Sequence, residues 1–464
     1  MTETLHEDRV RFGHGMIEAS KPFAIQQDQN KTIFALASGV GRAAVALVRI
    51  SGPSAGLTSR FLGFKLPKPR SAVVRRLFGR KGGVPLDHAL VLWFPGPSSY
   101  TGEDCLELHL HGGPAVVRAV LAELGGLPQL RLARAGEFTE RAFHNGKIDL
   151  SEIEGLADLI ESDTESQRRY AMRQLDGELG RKVTEWSTIL RDCRSLVEAE
   201  LDFSDQDDVT EDCIAQVHAY LAPLSLSLAE ALADSANVER LRNGFTVVIS
   251  GPPNVGKSTL LNRIVRREAA IVSPFAGTTR DLIEISLEID GVPIRLIDSA
   301  GIHESLDFAE AEGIRRALAS AERANLVLWL SDGSVGSTTI LSFPCEVLRI
   351  ANKCDLQGHD ISSDFCISAK TGDGVAELLA KIADLAKASV SGAEGALIAN
   401  QRQIAETRGC RAAIDGILAS DRNIPLELIA EDLRVATVCL ERLIGKVGAE
   451  DILNDIFSRF CIGK

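Results

Sequence analysis

Phe245-Thr246-Val247-Val248-Ile249-Ser250-Gly251-Pro252-Pro253-Asn254-Val255-Gly256-Lys257-Ser258-Thr259-Leu260-Leu261-Asn262-Arg263-Ile264-Val265 is the stretch that decides the fold. Its first six residues form an apolar run that reads as a buried strand, and the residues from Thr259 read as a helix. Between them Gly251 to Ser258 has the glycine and lysine spacing of a phosphate-binding loop, in the strand, loop and helix setting such a loop requires. Backbone N–H groups at a helix start are unpaired and carry partial positive charge, so they hold phosphate oxygens. Lys257 can reach the outer phosphates, and the Ser258 hydroxyl can ligate Mg²⁺. The motif begins at residue 251 of 464, so more than half of the chain precedes the nucleotide site.

Four further motifs follow in order. Ile294-Arg295-Leu296-Ile297 reads as a strand ending in Asp298-Ser299-Ala300-Gly301, where the aspartate can hold Mg²⁺ through water and Gly301 can bring its N–H to the γ-phosphate. Asn352-Lys353-Cys354-Asp355 follows another apolar strand. The Asp355 carboxylate can accept from the ring N–H and amino group of guanine, a donor pair that adenine lacks, so the motif selects GTP. Ser368-Ala369-Lys370 can close the guanine pocket. Between the phosphate loop and Asp298 lies Gly277-Thr278-Thr279-Arg280-Asp281, where a threonine can complete the Mg²⁺ shell and sense the γ-phosphate. Ras-like proteins place a water-orienting Gln after the Asp-x-x-Gly motif; Ile302 stands there instead. Glu304, Asp307, Glu310 and Glu312 are the acidic candidates for that task, and Arg280 or a monovalent ion can supply the cation.

Working outward, residues 31–149 alternate short β-like runs (Ala44–Ile50, His88–Phe94, Leu106–Leu110) with Gly/Pro turns and helices such as Ala115 to Leu124, a compact α+β domain. From Leu150 the period becomes helical through Ile153, Leu156, Ala157 and Ile160, with Ser151-x-x-Glu154 as its capping box. Helical character continues to about Arg242, broken near Phe203-Ser204-Asp205, and returns around Asn400. Residues 244–389 alternate strands and helices as a doubly wound nucleotide domain does. The simple inference is a helical domain, 150–243 plus 390–464, split by the inserted nucleotide domain.

Composition is that of a soluble globular chain, 45% apolar and 25% charged. No apolar run approaches ~18 residues, so no membrane span is expected. Residues 1–30 are polar and mixed, read as a flexible extension without a signal peptide. The nine cysteines are scattered with no Cys-x-x-Cys pair, which suggests neither a zinc ribbon nor a disulfide framework and fits a reducing cytoplasm. The net charge of −13 hides an asymmetry: residues 31–150 hold 16 Lys and Arg against 8 Asp and Glu, whereas residues 151–243 hold 9 against 21. A basic first domain suits an anionic partner, or simply a solvated face.

Over residues 31–464 the chain resembles the MnmE (TrmE) family of bacterial tRNA modification GTPases. Ser99-Tyr100-Thr101-Gly102-Glu103-Asp104 through Glu107-Leu108-His109 to His111-Gly112-Gly113-Pro114 carries the match. So do Ala135-Gly136-Glu137-Phe138-Thr139-Glu140-Arg141-Ala142-Phe143 through Asn145-Gly146-Lys147, and the terminal Phe460-Cys461-Ile462-Gly463-Lys464. The resemblance implies a multidomain α+β fold: an N-terminal folate-binding and dimerisation domain, a split α-helical domain and an inserted Ras-like α/β GTPase domain. It implies a cytoplasmic homodimer working with a flavin-containing MnmG (GidA) partner, which carries the FAD, in a heterotetramer or larger assembly. That assembly adds an aminomethyl or carboxymethylaminomethyl group to the wobble uridine of certain tRNAs. A 5,10-methylene- or 5-formyl-tetrahydrofolate supplies the one-carbon unit.

By the same resemblance the folate contacts are Arg49, Glu107, Lys147 and Lys464. Potassium falls to Asn254, Ser273, Phe275 and Thr278, and Mg²⁺ to Ser258 and Thr279. GTP is faced by Asn254, Val255, Gly256, Lys257, Ser258 and Thr259, by Ser273, Pro274, Phe275, Ala276, Gly277, Thr278 and Thr279, and by the later motifs. The resemblance places the water-orienting carboxylate at Glu310. It also places Cys461 near the folate pocket, as nucleophile or as a structural group; a terminal Lys makes a prenylation box a poor fit there. The chain departs from the family at Gly39-Val40-Gly41, at Ser299, and in a shortened loop at Asp332-Gly333-Ser334-Val335-Gly336-Ser337. The rival reading is a regulatory GTPase of ribosome assembly without folate chemistry.

Overall fold

Alternation of apolar and polar residues builds the first of two six-stranded sheets among the described residues. β1 (Thr32–Leu36), β2 (Val45–Ser51), β3 (Val73–Phe78), β4 (Pro85–Phe94), β5 (Cys105–His111) and β6 (Leu130–Leu132) lie in the order β3-β4-β5-β2-β1-β6. The pairings are antiparallel except β1 with β6. Ala46, Val48 and Ile50 share one face with Leu106, Leu108 and Leu110 and bury against Val117, Val120 and Leu124 of a helix. The side-chain period of two sends Arg49 and Glu107 to the other face as a cross-strand pair. The computed structural model describes residues 31–80, 83–202, 211–252, 254–267, 283–298, 324–332, 343–356, 363–398, 400–420, 424–460 and 462–463.

This sheet carries α1 (Thr58–Phe61), α2 (Pro114–Gly125) and α3 (Glu137–His144). Pro114 begins α2 where its missing N–H costs nothing. The described residues up to Lys147 form one unit with those from Phe457 onward. Ile462 bridges to Ala135, and Phe457 lies so close to Gly136 (φ 68°) that a side chain there would collide with its ring. The last described residues, from Phe457 onward, thus pack with this first unit.

The second unit spans Ile148–Ile456. It begins with α4 (Leu150–Glu161) and α5 (Glu165–Leu175), followed by α6 (Glu178–Asp202), α7 (Glu211–Ala233) and α8 (Ser235–Asn243). The cap of α4 is Asp149 with Glu152, not Ser151 with Glu154: Asp149 Oδ1 accepts from Glu152 N at 2.9 Å and Asp149 N donates to Glu152 Oε2 at 2.6 Å. The Leu150 N–H, bonded to the Ile444 carbonyl at 3.2 Å, pins that starting point from outside the segment.

After α8 comes the second sheet: β7 (Phe245–Ser250), β8 (Ile283–Ile289), β9 (Val292–Asp298), β10 (Leu326–Asp332), β11 (Glu346–Asn352) and β12 (Phe365–Cys366), with α9 (Lys257–Arg267) and α10 (Val375–Ser389). The order is β12-β11-β10-β7-β9-β8, parallel except β8 with β9. β7 is buried at every position, as a central strand covered on both faces must be. The chain then returns through α11 (Gln401–Ala419), α12 (Leu426–Leu443) and α13 (Glu450–Arg459).

One helical core draws Leu179, Val183, Trp186, Leu190, Val217 and Leu221 from before the nucleotide fold and Ile414, Ile417, Leu433 and Leu440 from after it. The two helical stretches are thus halves of one packing unit, with the Ras-like sheet set between them. The ends of the insert meet: Asn237 Nδ2 donates to Ser391 O at 2.8 Å and Arg240 to Ser389 O at 3.4 Å. Among the described residues no helix is long and apolar enough to cross a membrane.

Candidate GTP-binding site

The site forms at the C-terminal ends of β7, β9, β10 and β11, where open parallel sheets present their loops. Gly251 leaves β7 at φ 145° against the backbone of Leu330 on β10, and Gly256 turns at φ 99°. A Cβ on Gly256 would collide with the Asn352 amide. Glycine is required at both positions by conformation and by close approach. Asn254 sits exposed at φ 59°, a left-handed conformation that asparagine tolerates better than most residues.

Lys257 opens α9 almost fully buried, and its Nζ donates to the carbonyls of Gly251 and Pro252 at 2.9 Å each. Burial lowers its pKa, and the Asp298 charge opposes that shift only in part. Phosphate oxygens arriving at this ammonium would supply the charge that the two carbonyls lack. Ser258 Oγ donates to Asp298 Oδ2 at 2.9 Å, and Asp298 is fully buried at the end of β9. A hydroxyl beside a buried carboxylate is the hard oxygen set that Mg²⁺ takes, so these residues fit the ion.

Asn352 ties the base side of the site to the phosphate side. Its Nδ2 donates to Val255 O at 2.6 Å and its Oδ1 accepts from Ala369 N at 2.9 Å. Lys353, at φ 65°, pairs with Asp332 at 2.7 Å. Asp355 is exposed in the short turn Cys354–Leu356. Ser368 Oγ accepts from Thr371 N at 3.1 Å and shapes the last loop. Arg263 of α9 donates to the carbonyls of Ala369, at 3.1 Å, and of Lys370. Sequence reading passed over Arg263 as a plain helix residue; its position two turns into the helix of the phosphate loop was the available signal.

Thus Asn254, Val255, Gly256, Lys257, Ser258, Thr259, Asp298, Asn352, Lys353, Asp355, Ser368, Ala369 and Lys370 lie at one end of the second sheet, on its loops, at the ends of β9 and β11 and in the first turn of α9. Ser273, Pro274, Phe275, Ala276, Gly277, Thr278, Thr279, Ser299, Ala300, Gly301 and Glu310 lie outside the described residues, as do Cys461 and Lys464. Of the potassium set only Asn254 is described.

The cysteine reading needs correction. Cys354 and Cys366 form a disulfide. Their separation of 12 residues matches no pairing motif. β12 aligns with β11 so that Cys366 faces Ala351 in register, and that pairing brings the two cysteines together.

In the first unit, Arg49 Nε pairs with Glu107 Oε1 at 2.9 Å, and its guanidinium lies 5.0 Å from the Tyr100 ring centre and 5.8 Å from that of Phe138. Lys147 Nζ donates to Pro97 O at 3.1 Å. The two sequence motifs of this unit are joined by Tyr100 with Thr139 at 2.8 Å, Asn145 with Thr101 O at 2.7 Å, and Arg141 with Glu103 at 2.9 Å. Beneath them Glu137 is buried with Arg131 at 2.6 Å and Arg141 at 3.3 Å. Burial pushes its carboxyl up, but the Arg131 hydrogen bond, the Arg134 N–H and the two arginine charges outweigh this and hold it below the usual range. Tyr100, Phe138, Glu137 and Arg141 were visible only as parts of quoted motifs, with no role of their own.

Residues 150–461 match the family model described as the MnmE helical domain, and residues 32–147 match that of the GTP-binding protein TrmE N-terminus. The chain is similar to the tRNA modification GTPase MnmE of Bradyrhizobium sp. (strain ORS 278), 46% identical over 445 residues covering 94% of this chain and 99% of that protein. It is similarly related to the MnmE of Methylobacterium sp. (strain 4-46), 48% identical over 439 residues covering 93% and 99%. Among solved structures, Aquifex aeolicus Era aligns at 25% identity over 36% of this chain and 66% of that one, with a TM-score of 0.25, too low to carry an argument. With matches to both family domains and nearly half of its residues identical to full-length relatives, the chain belongs to the MnmE family of tRNA modification GTPases.

Proposed function

We propose that this chain is a potassium-dependent GTPase that drives wobble-uridine modification of tRNA. It acts as a homodimer in the cytoplasm with a flavin-carrying MnmG (GidA)-like partner and a tetrahydrofolate one-carbon donor. The observation that carries the GTP reading is Asn352, whose amide braces the phosphate loop and the Ser368-Ala369-Lys370 loop at once, with Asp355 presented beside it. Family membership supports the tRNA and partner readings.

In this scheme Lys257 exchanges its two carbonyl partners for phosphate oxygens and offsets charge as the γ-phosphoryl leaves. Ser258 and Thr279 would hold Mg²⁺, with Asp298 reaching it through water, and the ion would supply positive charge to offset that of the phosphate oxygens. Asn254, with Ser273, Phe275 and Thr278, holds potassium, and Glu310 orients the attacking water. Asp355 accepts from the guanine edge. Arg49, Lys147 and Lys464 pair with folate carboxylates while Glu107 accepts from the pterin, so ligand entry exchanges the Arg49–Glu107 pair for new partners. Cys461 would serve the folate chemistry as nucleophile or as a structural group. The residues divide into domains 31–149, 150–243 with 390–464, and 244–389.

GTP hydrolysis assayed in K⁺ against Na⁺, with a parallel titration of 5-formyltetrahydrofolate, tests the proposal. We expect hydrolysis at least about tenfold faster in K⁺ and saturable folate binding that Arg49→Ala weakens. Equal rates in both salts would remove the potassium site, and absence of folate binding would remove the modification chemistry.

A further inference from the structure

The disulfide between Cys354 and Cys366 lies on the base side of the nucleotide site, across a Cα–Cα distance of 6.2 Å. Cys354 stands between Lys353 and Asp355 in the turn Cys354–Leu356. Cys366 ends β12, the two-residue edge strand that feeds Ser368-Ala369-Lys370. Main-chain bonds already connect the two segments, Cys354 N to Ile367 O at 3.1 Å and Ile367 N to Ala351 O at 2.8 Å. The disulfide adds a covalent clasp to this narrow connection. Cys366 is exposed and Cys354 half-buried. The free cysteines among the described residues are buried, apart from the half-buried Cys345. Among the described residues the pair is therefore the accessible one, and it flanks Asp355, the proposed guanine acceptor.

We propose that Cys354 and Cys366 form a thiol–disulfide modification site that sets how long guanine nucleotide is held. The proposal rests on Asp355 being the guanine acceptor. The reagent class is a low-molecular-weight disulfide such as oxidised glutathione. The exposed Cys366 thiolate attacks one glutathione sulfur, a Cys366–glutathione bond forms, and the first glutathione thiolate leaves. The Cys354 thiolate then attacks the Cys366 sulfur and the second glutathione thiolate leaves. One reagent S–S bond is replaced by one protein S–S bond; two electrons pass to the reagent, and the two thiol protons end on two glutathione molecules. Reduction by a dithiol runs the same steps backwards. Closed, the clasp makes the Asp355 turn and the Ser368–Lys370 loop move together, and a preorganised pocket releases its ligand more slowly. Open, a two-residue edge strand without its covalent tie separates from its neighbour more often.

The test uses the full chain loaded with mantGDP, chased with excess GDP after equilibration in oxidised glutathione or in dithiothreitol. Release in the oxidised form is expected to be roughly three- to tenfold slower, since affinity differences between related states fall mainly on dissociation. Mass spectrometry of an unreduced digest should show the Cys354 and Cys366 peptides joined. Cys366→Ser should bind mantGDP as the reduced protein does and lose the redox dependence. Equal release rates with the cross-link present overturn the proposal, as does failure of the cross-link to form at any glutathione ratio. Absence of mantGDP binding in both forms would instead sink the guanine reading, and the proposal with it.

Discussion

At the scale of single residues, two carboxylates illustrate opposite uses of burial. Glu137 is enclosed by Arg131 and Arg141, and its carboxyl is held below the ordinary range. Its folded pKa lies below its unfolded one, so between the two values the unfolded chain binds more protons and stability rises with pH. Its contribution is present at neutral pH and disappears as pH falls through the folded value. Glu137→Gln should cost about 3 kcal/mol at pH 7, because Arg131 loses its close carboxylate partner in a buried setting and Arg141 keeps only Glu103. Urea midpoints of the variant and the parent should converge in acid; a constant gap would refute the electrostatic account. Asp355, by contrast, is exposed. An asparagine there offers an amide donor to a base carbonyl in place of an acceptor for the guanine amino group. Asp355→Asn should weaken GTP by roughly 10²-fold or more and improve xanthosine triphosphate, read by nucleotide competition. Unchanged preference would mean that another residue reads the base.

At the scale of elements, the joint between the helices and the nucleotide sheet is α8, which runs through Gly244 (φ 82°) directly into β7. Gln167 of α5 caps the α8 carbonyls of Leu241 and Arg242 at 3.2 and 3.1 Å, and Arg242 pairs with Asp158 of α4 at 2.7 Å. Burial raises the Asp158 carboxyl even with Arg242 beside it. Arg242→Met leaves that carboxylate buried without its partner and should cost about 2–3 kcal/mol at pH 7. A raised folded pKa gives stability that is lost as pH rises, so this variant should be relatively more stable at pH 5 than at pH 7. Adding Asp158→Asn should recover most of the loss. Denaturant melts at the two pH values decide; a pH-independent deficit points to lost packing instead.

The element scale also shows where sequence patterns stop. The spacing of Ser, Thr or Asp before Glu is met twice within six residues, at Asp149 with Glu152 and at Ser151 with Glu154, and local pattern alone does not choose between them. The bond from Leu150 N to Ile444 O chooses, and it comes from a residue nearly 300 positions away. β7 was legible to the residue because a strand buried on both faces is a continuous apolar run bounded by a turn. Arg49 was legible as a candidate, but its pairing with Glu107 follows from the β2–β5 register.

At the scale of the molecule, the helical core is assembled from both sides of the nucleotide fold, and the ends of that fold are bridged by Asn237 with Ser391 and Arg240 with Ser389. Replacing residues 244–389 by a short Gly/Ser linker should therefore leave the helices of the core folded. Far-UV circular dichroism and urea melts check this: cooperative unfolding should persist, and a non-cooperative helical signal would show that the sheet is needed to hold the halves together.

By itself the sequence determined what depends on local spacing. A strand, a glycine loop and a lysine at a helix start are neighbours along the chain, so the phosphate loop, the order of the nucleotide motifs and the family could be read directly. The tertiary structure alone decided what depends on residues far apart in the chain. It set Ser258 against Asp298, made Asn352 the brace between Val255 and Ala369, enclosed Glu137 among arginines, joined Cys354 to Cys366, and returned Ile462 to Ala135. The physical reason is the range of the forces: backbone propensity acts over a few residues, whereas ion pairs, cross-strand bonds and disulfides require an approach that only the packing of whole elements creates.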